Sequence, residues 1–132
     1  MLEFGADLTA SLGNSCVMTL SGDLGSGKTT IARGVLRGLG FAGRVKSPTY
    51  TLVEMYEHAG KSIYHFDFYR IQDADELELA GIPELLTQPA IRIVEWPSLG
   101  GCHVPAADIA IAIEILDCGR RVRLQRGSLE RT

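Results

Sequence analysis

Val17-Met18-Thr19-Leu20 is a short apolar run closed by Gly22, and its length and flanks predict a buried strand. Beyond the next glycines, Ile31, Val35 and Leu39 recur every four residues. That spacing holds side chains on one face of a helix, and Gly40 is placed to stop it. Two further strands are predicted over residues 50–57 and 62–67, turned by His58-Ala59-Gly60-Lys61. Residues 73–86 are acidic and leucine-rich but carry Pro83, which has no N–H to give a helix interior, so the pattern predicts a short helix and then a second helical turn from near Pro83. Ile91-Arg92-Ile93-Val94 reads as a buried strand ended by Glu95 and Trp96. Residues 108–116 place Ile109, Ile111, Ile113 and Ile115 at period two, and residues 121–124 alternate again after a turn at Asp117-Cys118-Gly119, which predicts a terminal antiparallel hairpin. Strands outnumber helices but the chain opens with a strand, a glycine-rich turn and a helix. The fold class is therefore α/β, with a mixed, partly antiparallel sheet flanked by helices.

At 132 residues the chain is expected to be a single domain, residues 1–132, large enough for a real core without disulfides or a structural metal. Thirteen basic against sixteen acidic residues leave a net charge of −3, which excludes a protein that holds nucleic acid by charge alone; any RNA role must be local or borrowed from a partner. Three widely spaced cysteines, Cys16, Cys102 and Cys118, in no CxxC arrangement fit reduced thiols in a cytoplasm. The first residues lack a basic stretch followed by an apolar core, and no segment approaches the roughly 20 apolar residues of a bilayer span, so no membrane partner is expected.

Gly22-Asp23-Leu24-Gly25-Ser26-Gly27-Lys28-Thr29 satisfies the phosphate-loop pattern GxxxxGK[ST] at every fixed position. Glycines let such a loop aim backbone N–H groups at phosphate oxygens, and the helix behind it adds its dipole. A strand before and a helix after are what that mechanism needs, so the domain is read as P-loop NTPase-like, with Asp23, Leu24, Gly25, Ser26, Gly27, Lys28, Thr29 and Thr30 as nucleotide-binding residues. Lys28, expected to face solvent from the loop, would supply charge to the β- and γ-phosphates, and the Thr29 hydroxyl would ligate Mg2+. The absence of a guanine-reading Asn-Lys-x-Asp motif tilts the nucleotide from GTP to ATP.

A phosphate loop also needs acids beside the metal. Residues 63–67 and 91–95 are both apolar runs ended by a carboxylate, Asp67 or Glu95, and either could serve the metal or the hydrolytic water. In Ser47-Pro48-Thr49-Tyr50-Thr51, a hydroxyl after the rigid proline could act as a switch-loop group, or the segment could simply turn into a strand. Trp96, the only tryptophan, reads as packing more readily than as a contact residue. His65 reads as an ordinary, partly buried histidine, since no other His or Cys stands at metal-ligand spacing. Arg120, Arg121, Arg123 and Arg126 form a basic stripe, read first as the solvated face of an edge strand.

The loop Gly22 to Thr30, then Ser47-Pro48-Thr49-Tyr50, then His65-Phe66-Asp67-Phe68-Tyr69-Arg70, then Glu95-Trp96-Pro97, in that order, resembles the TsaE (YjeE) family of small P-loop ATPases needed to make threonylcarbamoyladenosine in tRNA. The likeness runs from about Leu12 to Leu124; Ser26 stands where the family usually has Ala. It implies that Lys28 and Thr29 bind phosphates and Mg2+, that Thr49 belongs to a switch-like loop, and that Asp67 and Glu95 serve the metal or the water. It further implies TsaD and TsaB type transferase subunits as partners and tRNA only indirectly. A small-molecule P-loop kinase and a non-catalytic nucleotide-gated module are the alternatives.

Overall fold

The structure, a computed structural model that describes residues 2–45 and 51–127, begins with helix α1 (Leu2–Leu8) and a 3-10 turn (Thr9–Ser11). Strand β1 (Cys16–Gly22), helix α2 (Lys28–Gly38), strands β2 (Val53–His58) and β3 (Lys61–Asp67) and the short helices α3 (Asp75–Leu79) and α4 (Ile82–Leu86) follow. Strand β4 (Ile91–Glu95), a 3-10 segment (Pro97–His103) and strands β5 (Ile109–Leu116) and β6 (Gly119–Arg126) complete the order. Thr49 and its neighbours Ser47, Pro48 and Tyr50 lie outside the described residues.

The strands form one sheet in the order β2-β3-β4-β1-β5-β6. β3, β4, β1 and β5 run parallel, and β2 and β6 are antiparallel edges. Connection length explains the mixture. β2 to β3 and β5 to β6 are joined by two residues each, which only antiparallel neighbours can use, whereas parallel neighbours need crossovers. At the first hairpin Ala59 (φ 52°) and Gly60 (φ 79°) are both left-handed, the turn whose twist matches the flanking strands.

Successive strand side chains face opposite ways, so β3 and β4 feed two cores. Met18, Leu20, Ile63, Ile91, Ile93 and Ile111 meet Ile31, Val35 and Leu36 of α2 on one face. On the other, Phe66, Phe68 and Val94 meet Leu77 of α3 and Ile82 and Leu86 of α4. The break near Pro83 is as predicted, with Gly81 left-handed (φ 73°) between the two short helices.

Two local readings are corrected. β2 starts at Val53, not near residue 50, because Leu52 is left-handed (φ 70°) and a strand cannot run through that conformation. Helix α1 has no counterpart in the sequence pattern. It lies on α2 through small residues: a Cβ added to Gly34 would stand 2.2 Å from the Leu2 carbonyl oxygen, and one on Gly5 2.3 Å from that of Ile31. Gly34→Ala is therefore expected to lower stability by about 1–3 kcal/mol, outweighing the ~1 kcal/mol that alanine adds inside a helix. Urea unfolding checks this; an equal or higher midpoint would show that α1 does not pack there.

Candidate functional site

The carboxyl ends of β1, β3 and β4 and the amino end of α2 converge on one cleft of about 340 Å3. It is lined by Gly25, Gly27, Lys28, Thr29, Thr30, Asp67, Glu95 and Trp96, with Leu24, Tyr69 and Arg70 at its sides. The loop between β1 and α2 reaches this place because three glycines take left-handed backbone: Gly22 (φ 152°), Gly25 (φ 77°) and Gly27 (φ 113°). Gly22 also has no room for a side chain, since a Cβ would come within 2.7 Å of both the Ile113 carbonyl and the Ser26 hydroxyl.

Lys28 is folded back over the loop, its Nζ donating to the carbonyls of Gly22 (2.6 Å) and Asp23 (2.8 Å). It is only 5% exposed and lies 4.4 Å from the centre of the Trp96 ring, which corrects the expectation of a solvent-facing lysine. Burial pushes the ammonium below the usual lysine range, against the opposing pull of Glu95, Asp67 and Asp23. Trp96 is held left-handed (φ 58°, ψ 52°), a conformation that costs a bulky residue about 1–3 kcal/mol. Its backbone N–H donates to the Leu20 carbonyl of β1, which tethers the end of β4, and its ring packs at a tilt of 44° on that of Tyr69, centroids 5.0 Å apart. Such a conformation persists only where surrounding contacts over-determine it, and here it brings an aromatic face over the lysine. Trp96 thus belongs to the cleft and is more than packing.

The Thr29 hydroxyl lies 3.2 Å from both carboxylate oxygens of Glu95. The contact follows from strand order: β4 is the neighbour of β1, with Leu20 opposite Glu95, so the last residue of β4 stands beside the helix that β1 leads into. One strand further out, Asp67 is in register with Glu95 and accepts from the Tyr69 backbone N–H at 3.0 Å. Both acids are nearly buried, 5% and 2% exposed, and both face the cleft.

Other predicted residues sit less centrally. Leu24 is 61% exposed, and Asp23 borders a neighbouring hollow with Ala112 and Arg123. Ser26 is turned inward, its hydroxyl without a hydrogen-bond partner among the described residues. Two residues carry more than their pattern suggested. Arg120 leaves the solvated stripe and donates to the loop carbonyls of Ser26 and Gly25, both at 3.3 Å, bracing the loop from the β6 side. His65 is fully buried, and its Nε2 lies 2.5 Å from Glu95 Oε2. Alternation along residues 63–67 puts His65 and Asp67 on one strand face, but their meeting with Glu95 depends on a strand pairing that spacing does not encode.

A family profile described as "Threonylcarbamoyl adenosine biosynthesis protein TsaE" matches residues 1–122. The chain is 46% identical over 129 aligned positions to a tRNA threonylcarbamoyladenosine biosynthesis protein TsaE from Haemophilus influenzae, covering 94% of this chain and 82% of that one. To the protein of the same name from Bacillus subtilis it is 38% identical, covering 83% and 68%. The crystal structure of YdiB from Bacillus subtilis superposes with a TM-score of 0.70 at 29% identity, covering 96% of this chain and 79% of that one. A glycine loop, a lysine, a threonine and a strand-end glutamate gathered at one sheet edge, together with these matches along most of its length, establish that the chain belongs to the TsaE family.

Proposed function

We propose that this protein binds and hydrolyses ATP with Mg2+, slowly when alone, as an accessory to tRNA threonylcarbamoyladenosine formation. It acts in the cytoplasm on a transferase complex of TsaD and TsaB type subunits and meets tRNA only indirectly. One observation carries the reading: Thr29, second residue of the helix that follows the glycine loop, meets the carboxylate that ends the adjacent parallel strand. In P-loop enzymes these are the two protein groups that flank the metal. A hydroxyl and carboxylates are hard oxygen donors suited to Mg2+. Among the described residues no three His, Cys, Asp or Glu side chains form a metal cage, so phosphate oxygens and water would fill the remaining positions, as Mg2+ prefers.

Within this reading the amino end of α2 and the glycine loop receive the phosphates, and the unpaired N–H groups there favour negative charge. Lys28 exchanges its two carbonyl partners for β- and γ-phosphate oxygens. Thr29 and Glu95 would hold the metal, and Asp67 beside Glu95 helps orient the attacking water. Mg2+ bound there would supply positive charge to the phosphates. Thr49 is the switch-loop hydroxyl of the segment that the partner reads. Arg70, at the side of the cleft, is the local candidate for the further positive charge that phosphoryl transfer needs. Completion of that charge at an interface would make turnover depend on the partner.

The deciding experiment measures phosphate release by the purified chain with and without TsaD and TsaB type subunits and tRNA. Slow release alone that changes on addition of the subunits is the expected result. A phosphorylated small-molecule acceptor would mark a kinase instead, and tight nucleotide binding with no release under any condition would mark a binding module.

A pH dependence follows from Lys28. Phosphates raise the lysine pKa on binding, so the ligand prefers the protonated form. Affinity for ADP should hold while free Lys28 is charged and fall as pH rises through its lowered value toward the bound one, a range that opens below the ordinary lysine value. Calorimetric titrations across that range check the sign; a flat profile would remove Lys28 from the phosphates.

A further inference from the structure

His65 has no place in the scheme above, yet it touches the carboxylate on which that scheme turns. Resting on the ATPase reading, we propose that His65 is a positioning residue for Glu95: it donates from Nε2 to Oε2 and holds the carboxylate toward Thr29.

The imidazole is fully buried in the middle of β3, flanked on its own strand face by Ile63 and paired in register with Ile93 of β4. Aliphatic residues satisfy this core, and a leucine would fill such a place without polar atoms. Instead the site holds a ring whose second nitrogen, Nδ1, is buried with no hydrogen-bond partner among the described residues. An unsatisfied buried polar atom works against stability. Among the described residues, the polar partner of the ring that offsets it is Glu95. A packing role leaves this choice of residue unexplained, whereas a role in orienting Glu95 accounts for it.

The proton follows from the same contacts. A carboxylate can only accept, and a neutral imidazole carries one N–H. Nδ1 has no acceptor among the described residues, so we place the proton on Nε2 and give Nδ1 the lone pair, which proteins leave unmatched more readily than a donor. With Oε2 held by His65, the carboxylate keeps one rotamer, both oxygens within reach of the Thr29 hydroxyl. Released from it, Glu95 has the neighbouring Lys28 ammonium to turn to, which would pair the two groups to each other. Partners that orient a ligating carboxylate in this way are worth about 10–100-fold in affinity or activity in other metal sites.

The test compares His65→Gln, whose amide nitrogen can reach the place of Nε2, with His65→Asn, whose amide reaches only that of Nδ1. In the nucleotide-free wild-type chain, 15N NMR of the imidazole should show the Nε2–H tautomer. In turnover assays with the transferase subunits, His65→Asn should lose about tenfold or more in kcat while its ADP affinity stays within about twofold, and His65→Gln should recover most of the loss. An Nδ1–H tautomer, an asparagine variant as fast as wild type, or equal failure of both amides would overturn the proposal. Wild-type protein that releases no phosphate under any condition would instead overturn the ATPase reading, and with it a catalytic purpose for this contact, while the tautomer still reports whether His65 donates to Glu95.

Discussion

Lys28→Ala should lose nucleotide affinity by on the order of a hundredfold, the value of removing one or two charge-assisted hydrogen bonds to phosphate. The protein should still fold. The ammonium is held by carbonyls of its own loop and by one aromatic face, and its removal relieves a buried charge while leaving a gap beneath Trp96. The net change in stability should be about 1 kcal/mol in either direction. Calorimetric titration with Mg-ATP beside a thermal melt separates the two effects. Wild-type affinity in the mutant would remove the phosphate-loop reading, and a collapsed melt would show that Lys28 is chiefly structural.

The second large effect belongs to Glu95. Glu95→Gln keeps the shape and can still meet Thr29, but it removes the charge, and turnover should fall by about 10^2–10^3-fold while ADP affinity changes only a few-fold. Asp67→Asn should act in the same direction and less strongly, because its carboxylate ends the strand one position further from β1. Both are measured as phosphate release with the partner subunits present, since the rate alone is expected to be low. A Glu95→Gln variant at wild-type rate would return that residue to a structural role beside Thr29 and His65.

Much of this was legible in the order of residues. The glycine loop, its flanking strand and helix, the two apolar runs ended by acids, the break at Pro83 and the terminal hairpin all rest on local chemistry: side-chain periodicity, the freedom of glycine, the missing N–H of proline. Each appears where the pattern put it. Helix α1 was not legible because its seven residues offer only one helically spaced pair of large apolar residues, Phe4 and Leu8, too short a repeat to read as a helix; its place is set by close approach to Gly34 and Gly38 of a helix some thirty residues on. The start of β2 was misplaced because β-propensity at Thr51 and Leu52 says nothing of the left-handed turn that Leu52 adopts.

The site divides in the same way. Which residue types gather at the cleft was determined by the sequence itself, because the glycine-loop motif fixes its residues by their spacing, and the acids ending residues 63–67 and 91–95 followed from strand periodicity. Which acid stands at Thr29 was decided only by the tertiary structure. Strand order depends on burying both faces of the sheet at once, and it is the choice of β4 as neighbour to β1 that brings Glu95 to the hydroxyl and leaves Asp67 a strand away. The same long-range pairing buried His65 against Glu95, folded Lys28 under Trp96 and returned Arg120 from the far end of the chain to the loop carbonyls. None of these contacts joins residues near in sequence, and no local pattern of polar and apolar positions records which distant strands will lie side by side.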